Sequence, residues 1–378
     1  MVSETTQHNL TTQYLYLAIE LSNKEWRLGF TIGLGQSPRL RKLKACNLSG
    51  LLEEIGKAKV RFRLPEDTPV LSCYEAGRDG FYLHRYLTAQ SVTNLVVDSA
   101  SIEVNRRKRR AKTDRLDVGK LLTMLIRSAQ GERKVWSVVR PPSPQEEDQR
   151  QLHRELMALK RERTRHINRI KGLLTSQGVK LEIKADFLAQ LEAVRLWDGS
   201  GLLEGLQNRL LREHQRYQLI QEQIRQINRV RLEAIRNGDT PAIEQVRQLM
   251  RLKGIGVNSA WLYVMEFFSW RDFRNRRELG ALAGLTPTPY LSGDGGREQG
   301  ISKAGNRPVR AMAVEIAWAW LRFQPDSALS LWYQKRFGHG NSRVRRIGIV
   351  ALARKLLIAL WRYLELGVIP EGAQLREA

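Results

Sequence analysis

Apolar positions near the start of the chain follow the two-residue period of β-strands. Residues 14–21 are almost continuously apolar, which is typical of a buried strand, whereas residues 26–33 and 39–48 alternate between apolar and polar positions. Short turns separate these three segments, so the pattern predicts an antiparallel meander of three strands.

Helices and further strands follow the meander in alternation. Ser49 can cap a helix that runs to about residue 59, and a buried strand at residues 70–76 precedes a second helix at about residues 79–88. Another strand at residues 92–99 leads to a helix that begins at Asp114. The order β-β-β-α-β-α-β-α predicts an α/β domain of the ribonuclease H-like class, although a fold alone does not identify a function.

The hydrophobic period changes after residues 139–149, a polar stretch with three prolines that is typical of a linker. Leucine and isoleucine then recur at three- and four-residue steps, as in two long helices with a coiled-coil seam. These helices could pair as an antiparallel hairpin, dimerise, or form a plain helical spacer. The sequence therefore predicts three domains: an α/β domain at residues 1–140, coiled-coil helices at 150–236 and a mainly helical domain at 241–378.

The charge of the chain indicates a polyanionic partner. Its 378 residues include 63 Lys and Arg against 39 Asp and Glu, a net charge of +24 with a pI near 10.4. Nucleic acid is the commonest such partner, and no basic helix has the broad aromatic and leucine face of a membrane-surface protein. Two cysteines without metal-like spacing, no signal pattern and no apolar run of about 18 residues predict a cytoplasmic protein without a membrane segment.

Four acidic residues occur where a ribonuclease H-like topology would bring them together. Glu20 closes the first strand, Glu75 closes the fourth, and Asp114 and Asp117 share one face of the helix that follows. Crowded carboxylates require cations, and their oxygens suit Mg²⁺ or Mn²⁺, which could activate a phosphodiester for cleavage. Each acid alone is explained as well by a helix cap or a helix-dipole partner, so the prediction depends on all four.

A dense run of cations at residues 104–115 leads into the two aspartates. Its candidate contacts to flanking phosphates are Arg106, Arg107, Lys108, Arg109, Arg110 and Lys112. A solvated loop or a nuclear-localisation signal is the alternative interpretation.

A second candidate contact lies at Gly254-Ile255-Gly256, between two apolar helical segments. The pattern resembles a helix-hairpin-helix motif, in which Gly254 and Gly256 permit the tight turn and the amides that follow bind a DNA phosphate. An ordinary turn between two helices is the alternative.

A polar, glycine-rich stretch at residues 284–306 is predicted as a long loop that a ligand orders. Ser292 could attack a phosphodiester, and Lys303, Asn306 and Arg310 could stabilise the charge that develops. No histidine lies nearby as a base, so the loop could equally be a passive phosphate cradle.

Taken in order, these segments resemble the transposases of the insertion-sequence 110 family along nearly the whole chain. The matching motifs are the acidic strand end, CYEA at residues 73–76, AKTDRLD at 111–117, LKGIG at 252–256, and GLTP, SG and ISKAGN between 284 and 306. Each motif alone is common, but the combination in this order is specific.

This resemblance implies an N-terminal RuvC-like domain with a DEDD tetrad, a coiled coil, and a transposase domain with a catalytic serine that links covalently to DNA. By position the tetrad is Glu20, Glu75, Asp114 and Asp117, which would bind Mg²⁺ and activate the nucleophile Ser292. The resemblance also implies guidance by a structured bridge RNA and a homodimer or homotetramer, in which the two domains of one site come from different subunits. The first acid is usually aspartate, whereas here it is Glu20, and Leu291 stands where many members have a second serine.

The predicted function is site-specific DNA recombination that moves the protein's own insertion element, in the cytoplasm and at the nucleoid of a bacterium. One alternative is a Holliday-junction resolvase or metal-dependent nuclease that uses water as its nucleophile and needs no serine. The other is a structural nucleic-acid-binding protein whose acidic residues are only helix caps and which cuts nothing.

Overall fold

Six strands form one mixed sheet in the first part of the chain. The computed structural model describes residues 13–77, 80–102, 114–132, 134–292 and 295–376, and the chain divides into two compact units, residues 1–142 and 143–378. The strands of the first unit are β1 (Leu15–Glu20), β2 (Glu25–Thr31), β3 (Arg39–Lys44), β4 (Val70–Glu75), β5 (Thr93–Val97) and β6 (Val138–Val139). Its α-helices are α1 (Leu48–Arg61), α2 (Tyr82–Ala89) and α3 (Asp114–Ala129).

The strand order across the sheet is β3-β2-β1-β4-β5-β6. The predicted meander is confirmed, because β1 pairs antiparallel with β2 and β2 pairs antiparallel with β3. β4 joins the free side of β1 in parallel, β5 joins β4 in parallel, and the short strand β6, which the pattern did not predict, closes the far edge. The N-terminal unit is therefore a mixed α/β structure, as the sequence indicates.

Both faces of β1 are buried, which explains why this strand is apolar up to its last residue, Glu20. Leu15, Leu17 and Ile19 point to the face that packs against α1 and α2, whereas Tyr16 and Ala18 belong to the cluster that includes α3. The N-cap of α1 differs from the prediction. Asn47, rather than Ser49, caps this helix, and its Oδ1 accepts a hydrogen bond of 3.0 Å from the Gly50 amide.

The second unit is mostly helical and contains one β-hairpin. Its first helices are α4 (Pro144–Gln149), α5 (Gln151–Thr175), α6 (Phe187–Glu192), α7 (Glu204–Asn237), α8 (Pro241–Met250) and α9 (Val257–Tyr263), the last continuing as a π-helical turn at Val264–Phe268. After α10 (Arg276–Leu282) come β7 (Pro287–Ser292) and β8 (Gly295–Ile301), then α11 (Arg307–Phe323), α12 (Ala328–Tyr333), a π-helical turn at Gln334–Gly338, and α13 (Ser342–Leu366). In the described part of the chain, no helix combines the length and apolar character needed to cross a membrane.

The two long helices α5 and α7 pair with each other within the chain. Leu156 and Leu159, early in α5, share an apolar cluster with Ile224 and Ile227, late in α7. At the other end, residues late in α5 share a cluster with Leu210, early in α7. The pair is therefore antiparallel, which selects the hairpin from the arrangements that the sequence left open. A supercoiled seam remains a prediction.

A buried ionic cluster fastens α5 to the helical core of the second unit. Glu266, in the first π-helical turn, accepts bonds of 2.7 and 3.1 Å from the Arg154 guanidinium, and Arg150 lies 3.4 Å away. Burial alone would raise the pKa of Glu266, but the bonds and charge of Arg154 outweigh burial and lower it. His153 lies between these two arginines in sequence and is 3% exposed, and neither ring nitrogen has a hydrogen-bond partner.

His153 is expected to make the stability of the protein depend on pH. Burial and the nearby charge of Arg231 lower the pKa of His153 to about 4, against about 6.5 when the chain is unfolded. Its contribution is therefore complete above pH 6.5 and declines as the pH falls toward 4, by about 3 kcal/mol in total. Chemical unfolding of wild type and His153→Leu at pH 7 and pH 4 should show a smaller loss in the variant. An equal loss in both proteins would contradict the prediction.

Candidate active site

Two of the predicted acidic residues lie side by side at one edge of the sheet. Glu20 ends β1 and Glu75 ends β4, and the two strands run parallel with Ile19 opposite Tyr74. The next residues, Glu20 and Glu75, therefore occupy adjacent positions on strands that lie about 4.8 Å apart. The Glu75 side chain is exposed and that of Glu20 is half-buried, so this edge of the sheet presents two carboxylates.

A third acidic residue lies at the same edge and was not selected from the sequence. Asp98 directly follows β5, whose last residue, Val97, pairs with Glu75. Its position at the end of the predicted strand at 92–99 was a signal for it, because the carboxyl ends of parallel strands meet at one edge. Ser101 and Ser137 bond the backbone of Asp98, which holds this turn in place.

Helix α3 brings the other two predicted acids to the sheet. It begins at Asp114, and Val118, the residue after Asp117, packs on Gly29 of β2. Gly29 pairs with Ala18, two residues before Glu20, so the backbone of Asp117 lies near the acidic edge. The side chains of Asp114 and Asp117 and the whole cationic run from Arg106 to Lys112 lie outside the part of the chain that the structure describes.

The glycine at position 29 sets the distance between α3 and the sheet. A Cβ atom at Gly29 would lie 2.4 Å from Val118 Cγ1, so Gly29→Ala is expected to push the helix outward and to destabilise the fold by about 1–3 kcal/mol. Gly33→Ala is the matched control, because a Cβ there meets no atom within 4 Å. Thermal unfolding of both variants checks this, and equal melting temperatures would rule out the tight contact.

The chemistry of this edge fits a hard divalent cation. Carboxylate oxygens are the preferred ligands of Mg²⁺ and Mn²⁺, and Glu20, Glu75 and two aspartates on α3 would supply them. Within the described part of the chain, no group of three or more His, Cys, Asp or Glu side chains is close enough to hold a metal ion. Cys73, close to this edge in β4, is fully buried and its pKa is raised by that burial, so it is not a thiolate ligand or nucleophile.

Ser292 lies in a β-hairpin rather than in the long loop that the sequence predicted. β7 and β8 pair antiparallel, with Ser292 opposite Gly295 and Pro287 opposite Ile301. Backbone pairing across the stretch supplies partners that the glycine-rich composition did not reveal, so the expectation of a loop was wrong. Ser292 is the last residue of β7, and its side chain lies outside the described part.

Two glycines hold the base of this hairpin against α10. Gly284 has φ +70°, and a Cβ there would lie 2.0 Å from the Ala304 carbonyl oxygen. Gly305 has φ +92°, and a Cβ there would lie 2.1 Å from the Leu282 carbonyl oxygen. Any side chain at either position would separate the two chain segments. The glycines of this stretch therefore have a structural role as well as the flexibility that the sequence suggested.

The three predicted phosphate contacts beside the serine differ in what they already bond. Asn306 caps α11, its Oδ1 accepting a bond of 3.1 Å from the Val309 amide. Arg310 donates to the Ala283 carbonyl oxygen over 3.3 Å, so it helps to close the hairpin base. Lys303 is exposed and has φ +55°, and its amide donates to the Gly284 carbonyl oxygen. Their binding to phosphate remains a prediction.

The Gly254-Ile255-Gly256 turn joins α8 to α9, as the sequence predicted. Gly254 has φ +91° and packs against Phe323 of α11, while Gly256 caps α9. Ile255 is fully buried, and Arg376 near the end of the chain donates to its carbonyl oxygen. The turn is thus enclosed on one side by α11 and by the C-terminal segment, and phosphate binding by Gly254 and Gly256 remains a prediction.

Comparisons with known proteins bear on the identity of the whole chain. Residues 246–332, which include Gly254 and Ser292, match the model of the IS116/IS110/IS902 transposase family. The chain is 40% identical to "Putative transposase y4rJ" of Sinorhizobium fredii over 96% of its own length and 94% of that protein. It is 29% identical to the transposase for insertion sequence element IS1328 of Yersinia enterocolitica, over 58% of this chain and 64% of that one. The likeness to these transposases covers both the α/β unit with its acidic strand ends and the helical unit that carries the serine hairpin. The chain therefore belongs to the IS110 family of transposases.

Proposed function

We propose that this transposase moves its own insertion element by site-specific recombination, in which Ser292 attacks a DNA phosphodiester. In this proposal Glu20, Glu75, Asp114 and Asp117 hold Mg²⁺ at the reacting phosphate. The observation that carries it is the adjacent placement of Glu20 and Glu75 at the carboxyl edge of two parallel strands. The strand order β3-β2-β1-β4-β5 supports a RuvC-like assignment for this unit, because it is the order expected of a ribonuclease H-like sheet.

In the proposed chemistry, one bond from oxygen to phosphorus forms for each one that breaks. The Ser292 oxygen forms a bond to phosphorus while a bridging P–O bond of the DNA breaks, and the departing DNA oxygen takes up a proton as a hydroxyl. A hydroxyl of the recombining strand then attacks the phosphoserine, and the Ser292 oxygen leaves and regains its proton. Bound Mg²⁺ would lower the pKa of the attacking hydroxyl and stabilise charge on the phosphate. No water is consumed, so the strands are rejoined without an external energy source.

Guidance by a bridge RNA and action as a homodimer or homotetramer are further parts of this proposal. They rest on the family resemblance, and the net charge of +24 is sufficient to hold both DNA and RNA. Omission of the RNA should abolish cleavage of element-junction DNA, and size-exclusion chromatography with light scattering gives the number of subunits.

The decisive experiment identifies the atom that carries the DNA. Wild-type protein, junction DNA, RNA and Mg²⁺ are incubated, and any covalent product is digested with trypsin. The expected product is an oligonucleotide on the peptide from Glu278 to Arg297, and fragmentation should place it on Ser292 rather than on Thr286, Thr288 or Tyr290. Cleavage without any adduct would instead support the resolvase or nuclease that uses water, and binding without cleavage would support a structural role.

A further inference from the structure

The chain has a long basic segment that contains no acidic residue. Between Asp326 and Glu365, eight Lys and Arg residues occur and no Asp or Glu. Five of the eight are Lys335, Arg336, Arg343, Arg345 and Arg346, which fall within twelve consecutive residues. The segment begins near the end of the region that matches the transposase family model, which stops at residue 332. We refer to these five cations as the basic tip.

The basic tip lies on a helical hairpin. The chain reverses direction at residues 338–341, and the first turns of α13 pack against the π-helical turn at Gln334–Gly338. Phe337 lies against Gly348, where a Cβ would come within 2.4 Å of the ring, and the Tyr333 hydroxyl donates to the Arg345 carbonyl oxygen over 3.4 Å. Asn341 caps α13 by accepting a bond of 3.0 Å from the Val344 amide. The hairpin therefore holds its cations on an ordered backbone.

The five cations of the basic tip are available to a ligand. All five side chains are exposed. None takes part in an ion pair within the described part of the C-terminal unit, whereas Arg169 and Arg216 on α5 and α7 are both paired with Glu213. Unpaired cations close together along the chain repel one another, so the basic tip is most stable beside a polyanion.

The position of the basic tip works against the stability of α13. The positive end of a helix dipole lies at its N-terminus, where acidic side chains stabilise and basic ones destabilise. Four other helices of the same unit have acids in the first turn, Glu146 and Glu147 in α4, Glu204 in α7, Glu244 in α8 and Glu278 in α10. Helix α13, like α5, α11 and α12, has none there, and three of its first five residues are arginines. The helix dipole therefore does not account for these cations.

The Gly254–Gly256 turn and the hairpin of the basic tip have similar sequences but different surroundings. Both segments join two helices through a Gly-X-Gly sequence, Gly254-Ile255-Gly256 and Gly338-His339-Gly340. At the first turn the middle residue is buried and the backbone carbonyl is bonded to Arg376, and the adjoining cavity of about 230 Å³ includes Glu315 in its lining. At the second turn His339 is exposed and the neighbouring charges are all positive. The second hairpin has the charge that phosphate binding requires.

We propose that the basic tip is a DNA-binding surface that grips the phosphate backbone of duplex DNA. This inference rests on the proposed function only for the identity of the polyanion, since a transposase acts on DNA. Contacts of this kind hold and orient a duplex without reading its sequence.

Fluorescence anisotropy with a labelled duplex of random sequence tests the proposal directly. The triple variant Arg343→Gln, Arg345→Gln, Arg346→Gln should bind more weakly near 0.1 M salt by a factor on the order of 10². The slope of log affinity against log salt should fall by about 2.7, because each arginine that neutralises a phosphate contributes about 0.9 to it. The matched control removes three exposed arginines of α7, Arg209→Gln, Arg229→Gln and Arg236→Gln, and should bind as wild type.

The outcomes separate binding from folding and from catalysis. The tip variant should melt at or above the wild-type temperature, because it removes cations from the positive end of a helix. Equal weakening in the tip and control variants would mean that only total charge matters and would overturn the proposal. Loss of affinity for a labelled RNA with unchanged affinity for the duplex would assign the surface to RNA and would also overturn it. Because the measurement uses no cleavage, a failure of the serine mechanism would leave this result unaffected.

Discussion

Replacement of Ser292 by alanine is expected to abolish the covalent protein–DNA product and to lower strand exchange by a factor on the order of 10³ or more. No other side chain in the proposal forms the bond to phosphorus, so water would be the sole remaining nucleophile. Ser292 is the last residue of β7, and alanine is compatible with the backbone of a strand end, so the hairpin should persist. DNA affinity should therefore remain close to that of wild type.

The matched control for this experiment is Ser302→Ala. Ser302 follows β8 at the base of the same hairpin, is exposed, and donates a hydrogen bond from its backbone amide to the Thr286 carbonyl oxygen. This variant should retain full adduct formation. Wild-type rates of cleavage in Ser292→Ala would remove the serine from the mechanism and leave a nuclease that uses water.

The change Glu75→Gln is expected to reduce Mg²⁺-dependent cleavage by a factor on the order of 10² or more, while the fold is retained. The amide removes one negative charge from the edge where Glu20 and Glu75 occupy adjacent positions, so affinity for the cation falls. Because Glu75 is exposed, its replacement by glutamine should change the free energy of unfolding by no more than about 0.5 kcal/mol. A titration of cleavage rate against Mg²⁺ concentration should show a higher half-saturation point in the variant.

Glu25→Gln provides the comparison for Glu75. Glu25 lies at the start of β2 in the same sheet and is paired with Lys42 over 3.1 Å on the surface. Its loss should leave both the rate and the Mg²⁺ dependence unchanged. If Glu75→Gln cleaves as fast as wild type at every Mg²⁺ concentration, the acids do not bind a catalytic metal and the structural interpretation of them is favoured.

The two variants also distinguish the alternatives left open by the sequence. A recombinase with a serine nucleophile should lose activity in both. A resolvase or nuclease that uses water should lose it only in Glu75→Gln, and a structural binding protein should form no product in any case. The set therefore tests the serine and the acidic edge independently.

The sequence alone determined most secondary-structure elements of this protein, the kind of partner and the family. Periods of two and of three to four residues predicted the three-strand meander, the alternation that follows it and the long helices, because these depend on which side chains a strand or helix must bury. The charge excess indicated a nucleic-acid partner by composition alone. The ordered motifs around Glu75, Asp114, Gly254 and Ser292 identified the family before any coordinates were known.

Only the tertiary structure decided which distant segments meet. Glu20 and Glu75 are 55 residues apart, and the sequence predicted their meeting only through an assumed ribonuclease H-like topology. No local signal specifies that β4 pairs with the free side of β1, since β1 is buried on both faces and has no alternating pattern to indicate its register. The antiparallel pairing of α5 with α7 likewise depends on apolar stripes that could as well have met a second chain. The hairpin around Ser292 could not be predicted from composition, because strand pairing satisfies backbone groups whatever the side chains are. A glycine-rich stretch therefore predicts a loop even where two strands pair. The sequence thus determined the kinds of elements and their chemistry, whereas non-local packing decided which of them form a site.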